Sequence, residues 1–411
     1  MADLLLRDVR LWPREPGGEL VDVEVRDGRI ASIGPAGSGV GDPTLPVAHG
    51  LGGVVLPAFA DAHAHLDSTR LGLPFRPHTA EPGLAGLIAN DRANWRHAGA
   101  SVAERATHTL GATIASGVTA VRSHAQVDSD CGLERLEGVL AAKEAHAARA
   151  SVQIVAFPQS GILSDTGTAD LLDAALRSGA DLVGGLDPCA LDRDPVAHLD
   201  VVFGLAERHG AGADIHLHET GELGAFTFEL IAERTKALGM QGRVTISHAF
   251  ALSSVDAARQ ASLIDLLAEA DIALATVAPG NREPLPLEAL RAAGVRVGLG
   301  QDGIRDYWSP YGDGDMLARS WQLAFRNGYR GDDLVELCVD AAARGGRAIL
   351  DTTAWSALPM EEDPVTGLAG GARADLVVVA ADTVTAAVMD HPPRTLVIRD
   401  GRVIARDGTL V

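Results

Sequence analysis

VVLPAFADAHAHLD, residues 54–67, opens as a buried strand and stops on two imidazoles, His63 and His65, spaced i, i+2. Alternate residues of a strand face the same side, so both rings can reach one ion. Neutral imidazole is the commonest protein ligand for zinc and suits iron as well. A bare His-x-His also describes two unrelated surface histidines. This one is followed by three more polar motifs at strand ends, and the four together read as a metal constellation.

Outward from this stretch, short β-branched runs recur roughly every 30 residues, with helical patterns between them, as βα units require. After VVLPAFADAHAH come VTAVRSHA, VQIVAFPQ, DLVGGLD, DIHLHE, RVTISHA, IALATVA and VRVGLGQD. Between them lie amphipathic stretches such as LERLEGVLAAKEAHAARA, ADLLDAALRSGA and AFTFELIAERTKALG, several ending at glycine as helices prefer. Eight strand–helix units predict a closed TIM-like (β/α)8 barrel in an α/β fold; a doubly wound open sheet is the alternative.

The two chain ends have another character. EVRDGRIASI and VIRDGRVIAR are nearly the same sentence twice, each turning on an Asp-Gly pair, Asp27-Gly28 and Asp400-Gly401, a strong hairpin signal. Separate hairpins would be marginal alone. We expect residues 1–55 and 360–411 to fold together as a small β-sandwich domain, with the barrel domain, 56–359, between them. The Pro-, Gly- and Arg-rich segment from Leu66 to about Leu87 reads as a lid or substrate loop.

Composition narrows the partners. The chain has 411 residues, 46% of them hydrophobic, enough for a large core. A formal net charge of -20 argues against nucleic acid or an anionic membrane. No run reaches the ~20 apolar residues of a membrane span, and the charged N-terminus does not read as a secretory signal. Cys131, Cys189 and Cys338 lie far apart without CxxC spacing, which fits a reducing compartment and a cytoplasmic location. Helices rich in Ala and Leu leave homo-oligomer formation open.

In a barrel, the carboxyl ends of the strands share one mouth. This chain places His63 and His65 there from strand one, His216 with His218 and Glu219 from strand five, His248 from strand six and Asp302 from strand eight. So many imidazoles make a poor core, since their ring nitrogens would be unpaired. His63, His65, His216 and Asp302 form an N3O set for one divalent ion, with His218 an alternative to His216. Zinc is the first choice, and iron and manganese suit the same donors. A lysine-bridged pair of ions is not expected, because the two lysines, Lys143 and Lys236, lie in helical patterns and strand four ends on Asp187.

PAFADAHAHLD, VAFPQSGIL, DIHLHETGE, VTISHA and GQDGIRDYWSPYGDGDML together resemble the cytosine deaminase branch of the amidohydrolase superfamily, nearer its triazine-degrading isopropylamidohydrolases than its cytosine enzymes. The resemblance spans the chain, to the closing GLAGGARADLVVV. It implies His63, His65, His216 and Asp302 as metal ligands, Glu219 as proton shuttle to a ring nitrogen, and His248 as the group orienting the attacking water. It further implies Gln159 as a hydrogen-bonding partner of the ring's amide face, with Phe157, Trp308 and Leu84 as apolar walls. Cytosine deaminases carry a second aspartate where this chain has Gly303, and an acid where it has His218.

The expected activity is therefore metal-dependent removal of an amino or alkylamino group from a heterocycle such as a pyrimidine, triazine or pterin. A bound ion lowers the pKa of its water from 15.7 toward about 7; Asp302 takes the proton and Glu219 returns one. The alternatives are a cyclic amide hydrolase and a barrel that binds without catalysis. Three residues are assigned no catalysis: His124, which either lines the pocket or is a buried, satisfied histidine, Asp67 as a partner of a ligand imidazole, and Asp306 as a turn or loop holder.

Overall fold

The computed structural model describes residues 2–12, 16–38, 41–42, 44–354, 356, 358–360 and 362–411. The run that opens the sequence reading is shared between two sheets. Val54–Pro57 pairs antiparallel with Leu376–Val379, whereas Phe59–Ala64 is the first strand of the barrel. The break falls at Pro57, which has no N–H to donate to a ladder. Ala58 then donates to Asp375, and Phe59 to Gly117. What the periodicity presents as one strand is the crossing between the terminal sheet and the barrel.

Eight parallel strands follow in chain order: Phe59–Ala64, Val118–Gln126, Ser151–Phe157, Leu182–Leu186, Gly212–His216, Val244–Ser247, Ala273–Thr276 and Val297–Leu299. Each is buried along nearly all of its length, as strands covered by helices must be. The covering helices include Glu134–Ala145, Thr168–Arg177, Pro195–His209, Gly221–Ala237 and Ala257–Glu269. The ring closes where Ala64 bridges Asp302. Asp302 N donates to His63 O at 2.8 Å, and His65 N donates to Asp302 O at 3.2 Å.

Both chain ends build one mixed sheet of nine strands, with Val54–Pro57 beside Leu4–Leu11 near its middle. Asp27, Gly28, Asp400 and Gly401 all have positive φ, as the two central residues of a type I′ hairpin require. The two hairpin tips meet: Gly28 N donates to Ala2 O and Ala2 N to Asp400 O. No helix among the described residues is long and apolar enough to cross a membrane.

The closing seam is tight. A Cβ on Gly300 would stand 2.5 Å from His63 O and 2.7 Å from His63 N, both backbone atoms that cannot swing aside. Gly300→Ala should therefore destabilise the protein by about 1–3 kcal/mol through overpacking. Thermal unfolding measures this, and an unchanged midpoint would mean that strands one and eight are not held this close.

Candidate active site

The seam that closes the barrel also gathers the donors. His65 Nε2 lies 3.4 Å from Asp302 Oδ1 and 3.3 Å from His216 Nε2, and His63 Nε2 lies 3.6 Å from Asp302 Oδ1. Four ligands at zinc–ligand bonds of 2.0–2.1 Å stand about 3.4 Å apart along the edges of a tetrahedron. Three of the six edges, His65 to Asp302, His65 to His216 and His63 to Asp302, match that length. His63 Nε2 is buried without a hydrogen-bond partner among the described residues, a costly state unless something fills the gap. His63, His65 and Asp302 form one group able to hold a metal, and His63, His216 and His248 form another.

A chain of hydrogen bonds sets the His63 tautomer. Ser247 Oγ donates to Asp214 Oδ1 at 2.6 Å, so at 2.9 Å it accepts from His63 Nδ1 and leaves the Nε2 lone pair free. Arg122 anchors Asp214 at 2.9 Å. These residues escaped the sequence reading, although Asp214 stands two places before His216 on the same strand face. The expected partner, Asp67, does otherwise: it accepts from Gln126 N and from Arg135.

Burial depresses the pKa of His65, and it holds His216 and His248 well below the ordinary imidazole value, helped by neighbouring rings. Neutral rings are what a metal requires. Desolvation raises the Asp302 carboxyl, but the His63 contact and the surrounding imidazoles outweigh it and leave Asp302 well below its usual range. Asp302 and His248 each follow a strand in the left-handed region, at φ 63° and 68°. Strand alternation would point His248 away from Ser247; the reversal aims it at the mouth instead.

Above the donors opens a cavity of about 550 Å³. Its wall includes Leu84, Phe157, Gln159, Trp308, His248 and Asp302, so each expected substrate contact lies on it. Phe157 stacks on His216 with centroids 4.1 Å apart. The segment from Leu66 lies over this mouth, tied down by Ser68 Oγ donating to Asp306 and Thr69 Oγ1 to Ile304 O.

Two neighbours depart from expectation. Glu219 is absent from the cavity wall. Its carboxylate accepts from Cys189 N (2.7 Å), Ala190 N (2.8 Å) and Thr227 Oγ1 (2.8 Å), so it braces the turn after strand four. His218 does line the cavity. Asp187 holds the His218 ring, Nδ1 to Oδ2 at 2.9 Å, and among the described residues His216, not His218, belongs to a group able to hold a metal. Asp187 sits at φ 37°, two residues before Cys189, the first residue that Glu219 braces.

Burial pushes the Asp306 carboxyl up to about 7, against hydrogen bonds from the Ser309 and Trp308 backbone. Its unfolded value is near the ordinary 3.8. Between these values the folded chain keeps a proton that the unfolded chain has lost, so this group's stabilisation is full below 3.8 and disappears as pH rises through 7. Asp306→Asn should flatten that decline. Calorimetric midpoints of chelated protein from pH 5 to 8 test it; equal slopes for parent and variant would reject the assignment.

A sequence profile of the amidohydrolase family matches residues 51–405. The N-isopropylammelide isopropyl amidohydrolase of Pseudomonas sp. (strain ADP) is 30% identical, over 100% of this chain and 98% of its own. The crystal structure of N-isopropylammelide isopropylaminohydrolase from Burkholderia multivorans superposes with a TM-score of 0.89 at 41% identity, covering 100% of both chains. That of 5-methylcytosine deaminase from Klebsiella pneumoniae, liganded with 5-fluorocytosine, superposes at 0.78 with 28% identity, covering 98% of this chain and 97% of the other.

Proposed function

The chain belongs to the amidohydrolase family, and on that premise we propose that it hydrolyses an exocyclic C–N bond of an aromatic N-heterocycle. Water's oxygen bonds to the ring carbon, ammonia or an alkylamine leaves, and a ring carbonyl is formed. The observation that carries this reading is that His65 lies 3.3–3.4 Å from both Asp302 and His216, and His63 lies 3.6 Å from Asp302, under a cavity lined by Gln159 and Phe157. The relatives' names, an isopropyl amidohydrolase and a deaminase, agree with it.

In this reading the four donors hold one divalent ion, zinc, with iron and manganese suited to the same set. When bound, such an ion lowers the pKa of water toward about 7, so hydroxide is available at neutral pH. The protein's own groups move the protons. Asp302, open to the cavity, accepts one from the attacking water. His248, whose two ring nitrogens have no partner among the described residues, orients that water.

His218 carries the proton to the ring nitrogen beside the attacked carbon. Asp187 holds its Nδ1, fixes the tautomer, and stabilises the imidazolium that forms on uptake of a proton. Glu219, expected as the shuttle, becomes a positioning residue that fixes the backbone carrying Asp187. Gln159 pairs with the amide face of the ring, between the apolar walls of Phe157, Trp308 and Leu84. A reducing, cytoplasmic setting fits three cysteines that are all free.

Chelation should abolish turnover, and one equivalent of zinc per chain should restore it; activity that survives complete metal removal would reject the assignment. His218→Asn should retain zinc and lose at least about a hundredfold in kcat, whereas Glu219→Gln should lose less. The reverse order, with metal retained in both, would return the shuttle to Glu219. Amine release with the ring's ultraviolet spectrum retained separates this chemistry from ring opening.

A further inference from the structure

A second hollow of about 420 Å³ adjoins the cavity, and Gly280 and Arg326 border both. The helix Met316–Asn327 faces this passage with Arg319, Gln322 and Arg326, spaced i, i+3, i+7, one stripe of a helix. The first two are occupied. Arg319 donates to Val277 O, Gln301 O and Gln301 Oε1, and Gln322 donates to Ala278 O. Arg326 spends one Nη2 donor on Arg282 O at 2.7 Å. Its Nε is buried with no partner among the described residues.

Arg282 joins Arg326 on the wall of the second hollow, its guanidinium 5.6 Å from the centre of the Phe250 ring. Neither arginine has a carboxylate partner among the described residues, although most ion pairs of this chain involve arginine. The two guanidiniums border one hollow, where Arg326 keeps a buried Nε without a partner among the described residues. Ser253 and Ser254 also border the hollow, with their hydroxyls donated to Pro284 O and Phe250 O, and Glu283 shares the rim without pairing to either arginine.

We propose that this hollow binds a carboxylate arm carried by the substrate, with Arg326 and Arg282 as its cationic partners; the inference rests on the heterocycle hydrolase reading given above. A planar guanidinium matches a carboxylate in a two-pronged hydrogen bond. The monoanion suits the site better than a phosphate dianion, because Glu283 lies on the same rim. The hollow lies beside the cavity across Gly280 and Arg326, so an arm on a ring bound in the cavity has a site next to it. The substrate class is then an amino- or alkylamino-heterocycle whose acidic side arm points away from the carbon under attack.

Matched pairs test this: aminopyrimidines, aminotriazines and aminopteridines, each with and without a carboxylate arm, assayed on zinc-loaded protein. The carboxylated member should show at least tenfold higher kcat/KM, most of it in KM. Arg326→Ala and the exposed Arg282→Glu should pull that ratio toward one, and Arg326→Lys should keep part of it. Equal use of both members by the parent protein, or a ratio that neither variant moves, would overturn the proposal. Inertness toward every pair would count against the hydrolase reading instead. Calorimetry then decides the arm site alone, with a pyrimidine carboxylate lacking an amine and its uncharged carboxamide. Tighter binding of the carboxylate, erased by Arg282→Glu, upholds the site; equal binding of the two rejects it.

Discussion

Two backbone hydrogen bonds, from Asp302 N to His63 O and from His65 N to Asp302 O, hold the first and eighth strands together. They do so at His63, His65 and Asp302, a group able to hold a metal ion. Closing the ring and assembling the site are thus one event. A barrel sheared by a residue at this seam would turn every second side chain to the other face and scatter the imidazoles. Gly300, pressed against the His63 backbone, shows how little slack the seam allows.

The donors are arranged to be uncharged where they are buried. Four neighbouring imidazoles would be intolerable as cations, and burial keeps His65, His216, His248 and His124 toward the neutral side. Their lone pairs then need a partner that few polypeptide groups can be. The relay from Arg122 through Asp214 and Ser247 to His63 settles which nitrogen faces the gap. It reaches across strands two, five, six and one, so the same packing that fills the barrel interior orients the ligand above it.

Local sequence carried a good part of this. Period-2 runs ending on His63-x-His65, His216, His248 and Asp302 announced a barrel with a polar mouth, and the doubled Asp-Gly sentences announced that the two ends meet. Other features were not local. The Val54–Ala64 run reads as one strand because its hydrophobicity is continuous across Pro57; the pairing with Leu376–Val379 reveals the change of sheet. Glu219 sits in a motif that suggests proton transfer, yet backbone N–H groups 29 and 30 positions away claim its carboxylate. His218 gained its place from Asp187, a partner 31 residues distant that ends a different strand.

Residue type and spacing by themselves determined the chemistry on offer: nitrogen donors, a carboxylate, and alternating units able to bring them to one rim. The tertiary structure alone decided which lone pair faces which, whether a carboxylate opens to the cavity or is bound by backbone amides, and which arginines keep donors to spare. The reason is physical. Strand and helix periodicities depend on neighbours a few residues apart, whereas a hydrogen-bond partner, a tautomer or an unpaired guanidinium depends on atoms that meet only when the ring has closed.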